Sequence, residues 1–530
     1  MATEVRTVNG HTYLYDIQFA WDKQAQRSRK VCTRYLGPCG PDGKLLAHPK
    51  VRVDTIHSSL PIGPLSAFYA TARELKVTEN IRDALGVERP AASRVLTLAL
   101  NQLVAHLALV HVEKWAQASP ILRWEKLAPE EVSHASLEGA LSSLCRLTSR
   151  GVLENPGQDL QRKLTEVWRG ASREPAAYYY DVTKQPYYGT ECPYAEWGHD
   201  SQGGTSSVVG FGLVTSRYHH HPVLCRPLPG ALNDQRTVPE TVEALKASGF
   251  EHLTLIMDRG MVSRDNVEYV MKAGYDQVGM VPETHREVWE YVVRWPAETL
   301  EQPRFVVARP SGEAAYARSW TAPLMGFRRM RVAVVENPTR KIETRQARDL
   351  ALLELRGTPS TARVRELREE LKGMVENHAG RRGFIVDGKA VEERRQRDGR
   401  YLMFSTDLSL DAEEMFTIYF QRDVIEKAFR TWKGELFLGP IRYRRKDRLE
   451  AYATVIYVAY LLWSCAERKL REKYPSMSLA RAMDLLENVS WVRFGEGKKI
   501  HEWTTARNRK QDQVLTALGA TEYLPEPHHP

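Results

Sequence analysis

Cysteine is scarce: six in 530 residues, at positions 32, 39, 145, 192, 225 and 465. Spread this thinly, the thiols build no disulfide framework. Cys32 and Cys39 lack a second Cys or His pair at zinc spacing, so they read as ordinary thiols in a reducing compartment. Long hydrophobic runs are also missing. The longest, AYATVIYVAYLLWSC, has about fifteen residues against the ~20 a bilayer span needs. Thr454 and Ser464 interrupt it, which predicts a buried core helix and no membrane partner. The opening MATEVRTVNG carries no apolar signal-peptide core. There is no internal repeat and no low-complexity tract, which excludes a solenoid and a compositionally disordered chain. Charge of one sign is only modestly in excess: +9 net, with a pI near 9.1. That favours a polyanionic partner yet also fits an ordinary soluble protein. With 42% hydrophobic residues the chain can bury large cores, and its length corresponds to about three or four domains.

Pattern changes divide the chain. Residues 1–58 alternate as short strands around a basic turn, Lys23 to Lys30, and read as a β-hairpin module. Residues 59–172 carry apolar positions at three-to-four spacing and read as helical, either helices packing on their own domain or a segment that binds a partner, nucleic acid or a second copy of the chain. At 173–284 the pattern turns to strands. AAYYYDVT delivers Asp181 at its end, and SSVVGFGLVT and HPVLCRPLPG follow as antiparallel neighbours. EHLTLIMDRGM is a buried strand opening onto Asp258. Residues 285–396 mix strands with highly charged helices and look like an insertion. The segment 397–475 returns to a strand, YLMFSTD, followed by helices, and 476–530 form a C-terminal region.

The most informative stretch is Asp411 to Gly434. It reads as one long helix with Asp411 and Glu414 as a capping box, Leu410 and Met415 in the staple positions, and Gly434 as a left-handed stop. Phe416, Phe420, Val424, Ile425, Ala428 and Trp432 gather on a face expected to be buried. Tyr419, Arg422, Glu426 and Lys433 fall on the opposite face within a stripe about 60° wide. Singly, such residues are most often members of weak surface ion pairs. The set gains meaning from Asp181 and Asp258, because sheets of this kind gather ligand sites where strands end. Even so, an aspartate after a strand most often caps a turn. His219, His220 and His221 read as a polar turn, and Asn233 and Asp234 after Pro-Gly as turn chemistry first.

Together, DVT around Asp181, PGALNDQRT, DRGMVSRDN around Asp258 and the Tyr419, Arg422, Glu426, Lys433 spacing resemble the DDE transposases of bacterial insertion sequences, in particular the branch with the Y-R-E-K signature, over about Tyr178 to Trp463. The resemblance implies an α/β fold: an RNase H-like catalytic core interrupted by a β-rich insertion, with a helical N-terminal region. It implies Asp181, Asp258 and Glu426 as the catalytic, metal-binding triad, and Tyr419, Arg422 and Lys433 as contacts to element-end DNA. Arg442, Arg444 and Arg445, in the basic turn after the helix, would add a backbone-binding patch where DNA crosses the helix end. Phosphodiester cleavage needs an attacking oxygen activated and a leaving oxygen stabilised, which suits two ions on hard oxygen ligands, Mg2+ or else Mn2+. The expected partners are double-stranded DNA, as element ends and target, and a second copy of the chain once assembled on DNA, in the cytoplasm of a prokaryote at its nucleoid. Tyr452 stands in RLEAY where the family pattern has His. Two other functions fit the same fold: a non-cleaving DNA-binding protein and a host RNase H-like nuclease.

Overall fold

The computed structural model of the chain describes residues 2–8, 11–22, 26–39, 56–170, 176–199, 204–309, 312–356, 361–377, 384–496 and 499–525. Residues 23–25 of the predicted basic turn and the Cys32 side chain lie outside the described residues. The chain divides into two units, residues 1–59 with 492–503, and residues 60–491 with 504–530. In the first, Ala2–Val8, His11–Asp22 and Arg27–Pro38 form an antiparallel sheet in that order, so one more strand precedes the expected hairpin. Tyr35 packs edge-on to Tyr15 at 5.5 Å, a cross-strand aromatic pair of the kind that stabilises small sheets.

The second unit is built on a ten-stranded sheet, labelled in chain order: β1 Ala177–Pro186, β2 Glu196–His199, β3 Thr205–Ser216, β4 Pro222–Pro229, β5 Thr254–Met257, β6 Asp276–Met280, β7 Val306–Ala308, β8 Ala314–Leu324, β9 Phe327–Glu336 and β10 Arg400–Ser405. The spatial order is β4-β3-β1-β5-β6-β10-β9-β8-β7, with β2 pairing β3. Only β1–β5 and β5–β6 are parallel; the other neighbours are antiparallel. The parallel centre follows from composition. Tyr178, Tyr179, Tyr180, Leu255, Ile256 and Met257 are all buried, the runs expected of strands covered on both faces. Of the strands in the expected insertion, β7 to β9 extend this sheet beyond β10, while Val375–Asn377 and Phe384–Val386 pair as a separate two-stranded sheet. The helices Pro338–Arg356, Thr361–Glu370 and Gly388–Arg395 carry a small separate core of Ala351, Leu355, Leu367, Leu371, Met374 and Val391.

The apolar run beginning at Ala451 lies in a helix, Lys446–Lys473, longer than the run itself. It is long and apolar enough to cross a bilayer, but 94% of its apolar window is buried inside the protein, where it packs on β4 and on the helices of residues 63–170. Those helices and the sheet share one continuous core. Gln161, from the helix Pro156–Gly170, closes the free edge at β4. Its amide donates to the Cys225 carbonyl at 3.0 Å and accepts from the Cys225 N–H at 2.8 Å, so the side chain mimics another strand.

His221 differs from its sequence reading as part of a polar turn. It is buried, its Nδ1 lies 2.9 Å from Ser464 Oγ, and burial pushes its pKa well down. The five described cysteines are free and buried. Gly230 explains the Pro-Gly that ends β4: a Cβ there would lie 1.8 Å from the Val208 carbonyl oxygen and 3.0 Å from that of Glu196. Gly230→Ala is therefore expected to destabilise the protein by about 1–3 kcal/mol or more, because backbone must move. Chemical denaturation checks this, and a variant as stable as wild type would show that the approach of β2, β3 and this turn is slack.

Candidate active site

Asp181 and Asp258 arrive together through strand register. Tyr180 of β1 pairs with Met257 of the parallel β5, and each aspartate is the next residue. Asp181 is not at a strand end, as expected, but halfway along β1, which continues through Pro186 because it pairs with β3 that far. Its carboxylate accepts the Val182 N–H at 2.8 Å. Burial pushes its pKa up to about 7, against the pull of that amide and of the Arg422 charge, and the neighbouring Asp258 adds to the rise. Burial also opposes charge on Asp258, but the Arg422 guanidinium and the Arg259 and Gly260 amides hold that carboxyl below the usual range.

The predicted single helix is two. Its capping box is present: Asp411 accepts from the Glu414 N–H at 2.8 Å and Glu414 accepts from the Asp411 N–H at 2.9 Å. Met415 is buried. The first helix, Ala412–Phe420, then stops, and a second begins at Asp423 and runs through Gly434. Between them the Arg422, Val424 and Ile425 N–H groups bond three residues back, to Tyr419, Gln421 and Arg422, at 3.0–3.1 Å. Tertiary partners explain the tightened turn. The Tyr179 hydroxyl donates to the Ile418 carbonyl at 2.8 Å, the acceptor that an unbroken helix would offer the Arg422 N–H. Arg217 Nε donates to Gln421 Oε1 at 2.6 Å, and the Arg422 guanidinium is drawn to Asp258. The predicted stop also moves. Gly434 is an ordinary last helical residue; the Glu435 and Leu436 N–H groups both return to the Thr431 carbonyl, and Phe437, at φ +46°, takes the left-handed position.

The break decides what the polar stripe becomes. Arg422 lies between two carboxylates, ion-paired with Asp258 and 3.6 Å from Glu426 Oε1, one turn into the second helix. Tyr419 is buried, with the guanidinium 5.6 Å from its ring centre. Glu426 is exposed, while Phe420, expected on the buried face, is only partly covered. Trp432 is fully buried, as expected. Lys433 makes no ion pair among the described residues, and partial burial lowers its ammonium pKa. Of the three arginines in the basic turn, Arg445 is held 2.7 Å from the buried Asp447, whereas Arg442 and Arg444 are exposed and without an ion pair among the described residues.

One further acidic residue gains weight from the fold. Asp234 sits in a short helical turn, Asp234–Thr237, pinned to the turn after Asp258 by Asn266, whose Nδ2 donates to the Gln235 carbonyl at 2.9 Å and the Met261 carbonyl at 2.8 Å. Burial raises the Asp234 pKa, Lys184 opposes this, and the Asp258 charge adds to it. The Asn-Asp pair after Pro-Gly is the only signal of it in the sequence, and it does make a turn, since Asn233 caps it by accepting the Gln235 N–H at 2.9 Å.

The family described as "Transposase DDE domain" matches residues 177–462, from the first residue of β1 to within the long core helix. The chain belongs to this family. The match covers the ten-stranded sheet, both aspartates and the broken helix, and the extension β7 to β9 lies inside the matched range. No curated protein matches the chain. Among solved structures, a piggyBac transposase synaptic complex with hairpin DNA is similar at 10% identity and a TM-score of 0.37, over 80% of this chain and 79% of that one. That likeness is too distant to define the fold of the transposase domain.

The donor set suits a divalent ion in kind, since Asp181, Asp258 and Glu426 offer only carboxylate oxygens. Among the described residues, no three His, Cys, Asp or Glu side chains stand close enough together to hold an ion. The positive charge between Asp258 and Glu426 is the Arg422 guanidinium.

Proposed function

We propose that the protein is a metal-dependent DNA transposase of the Y-R-E-K branch, from a bacterial insertion sequence, that cleaves the ends of its element and joins the freed 3′ hydroxyl to target DNA. The observation that carries this reading is the pairing in register of Asp181 and Asp258 on parallel strands, with Glu426 linked to Asp258 through Arg422. The sheet is read as an RNase H-like core and β7 to β9 as its β-rich insertion. Residues 1–58, 59–172 and 476–530 are read as accessory regions around it.

Asp181, Asp258 and Glu426 would hold two Mg2+ ions, with Mn2+ as a substitute. When bound, these activate the attacking oxygen and stabilise the leaving one. The chain's own residues do the rest. Burial of Asp181 makes its charge costly without a cation, which favours ion binding there. Arg422 holds Asp258 and Glu426 in place and, once released from them, is free to meet the phosphate charge beside Tyr419. Lys433, Arg442 and Arg444, along and beyond the same helix, have no ion pair among the described residues and would bind backbone phosphates. Arg445, committed to Asp447, would contribute less. Double-stranded DNA is the proposed partner, with two copies of the chain assembled on it.

Nicking of a duplex carrying the element's end by the purified protein, with Mg2+ and not with a chelator, tests this reading. Lys433→Ala should weaken end binding and reduce the log-log salt slope by about one unit, while cleavage survives at saturating protein. A salt titration by fluorescence anisotropy measures it. Wild-type affinity and slope in Lys433→Ala would remove this residue from the interface.

A further inference from the structure

Immediately beside the carboxylates is a second feature that the transposition reading does not use. Arg259, the residue after Asp258, lines a cavity of about 200 Å3 together with Arg340, Arg394, Arg397, Trp289 and Glu283. Its cations are not equivalent. Arg259 is paired with Glu283 at 3.0 Å. Arg400, also on the wall, is fully engaged by Glu336 and by the Val292 and Trp295 carbonyls at 3.0 and 2.9 Å. Asp398 faces the cavity but is neutralised from behind by Arg348. Arg340, Arg394 and Arg397 have no ion pair among the described residues.

Two of these three are held close together. The Arg397 and Arg394 guanidinium carbons lie 4.4 and 5.2 Å from the centre of the Trp289 ring. Arg397 Nε is buried without a hydrogen-bond partner. Burial, and then the charge of Arg394, push the Arg397 pKa down, with the Glu393 charge opposing them. Cation–π stacking orients both planar groups and leaves their N–H edges without an ion-pair partner among the described residues. Planar guanidinium edges around a cavity of this size match a phosphate group with its paired oxygens, and not a base pair or a duplex.

We propose that this cavity is a phosphate-binding pocket for the DNA strand that passes Asp258, gripping a backbone phosphodiester through Arg394 and Arg397. The proposal rests on the transposase reading and adds to it a DNA-binding surface on the segment between β6 and β10. Arg259 bridges the two places, since its backbone follows Asp258 and its side chain lines the pocket. A strand lying across the carboxylates therefore meets the pocket as its next positive surface. Glu283 moderates that link by holding Arg259.

The test is a salt titration of end-duplex binding by the full chain. Substituting Arg394→Ala and Arg397→Ala together should lower the log-log slope by about two units, one for each cation withdrawn from the phosphate backbone. Substituting Arg394→Lys and Arg397→Lys should keep most of the slope while losing affinity, which separates lost charge from a misfolded pocket. Glu283→Gln, which releases Arg259, should steepen the slope, a gain that damaged protein does not produce. A double alanine variant with wild-type slope and affinity overturns the proposal. So does a pocket that binds inorganic phosphate or a mononucleotide, detected by tryptophan fluorescence, while the DNA slope is unchanged. Wild-type protein that neither binds nor nicks the end would instead sink the transposase reading itself.

Discussion

Asp181→Asn and Asp258→Asn are each expected to abolish nicking of the element's ends, by about a thousandfold or more, while the protein remains folded. On the proposed reading, each change removes a charge that would hold a divalent ion at the reacting phosphate and leaves the shape of the strand pair unaltered. Glu426→Gln should have the same effect on cleavage, with end binding retained. The two aspartates should separate in a second measurement. The folded-state pKa of Asp181, at about 7, lies above its ordinary value near 3.8. Without metal, the folded protein therefore keeps a proton that the unfolded chain releases across that window, and this group's contribution to stability falls as pH rises through it. Asp181→Asn should accordingly raise the melting temperature of metal-free protein at pH 8, and the gain should shrink toward pH 4. Asp258 has its pKa held down, chiefly by Arg422, so Asp258→Asn should lower the melting temperature at pH 8 by leaving that guanidinium short of a partner. Full cleavage in either variant would remove the residue from the site. An Asp181→Asn variant less stable than wild type at pH 8 would show that its carboxylate is already well paired.

Asp398→Ala is expected to destabilise the region between β9 and β10 by about 3–5 kcal/mol, the usual cost of leaving one buried charge without its partner. Arg348 Nη1 and Nη2 bond both Asp398 oxygens, at 2.6 and 2.5 Å, and both side chains are almost fully buried. The pair fastens the Pro338–Arg356 helix to the turn entering β10. Removing the carboxylate strands the guanidinium, whose Nε already lacks a partner. Replacing both, Arg348→Met with Asp398→Leu, should recover most of the stability, because apolar side chains of similar volume carry no desolvation cost. Urea denaturation of the single and double variants decides the matter. A single variant with wild-type stability would mean that Asp349, Glu392 or water already compensates the Arg348 charge.

Local pattern was enough for elements whose residues report their own surroundings. The aromatic and apolar strands β1, β3, β4 and β5, the capping box at Asp411 and Glu414, the buried Trp432 and the long core helix were all legible, because burial demands apolar residues at a fixed period and caps demand particular side chains at fixed offsets. The candidate carboxylates were legible as residue types at strand and helix positions, and the family match spans all three.

What the sequence could not contain was partnership between distant residues. Asp181 sits mid-strand because β3 pairs with β1 along its length, and Asp258 meets it because β5 runs parallel in register. Nothing within either segment encodes that alignment. The break at Arg422 depends on the Tyr179 hydroxyl reaching the Ile418 carbonyl and on Asp258 drawing the guanidinium, two interactions between segments far apart in the chain. Helical periodicity assumes that each carbonyl is free for the amide four residues on, and here one was engaged from outside. For the same reason Tyr419 left the polar stripe for the core. Within the predicted insertion, β7 to β9 joined the main sheet because β9 found an unpaired edge at β10. Side-chain chemistry was thus set by the sequence, and the geometry that brings it to one place was set by strand register and by hydrogen bonds between elements that no local pattern connects.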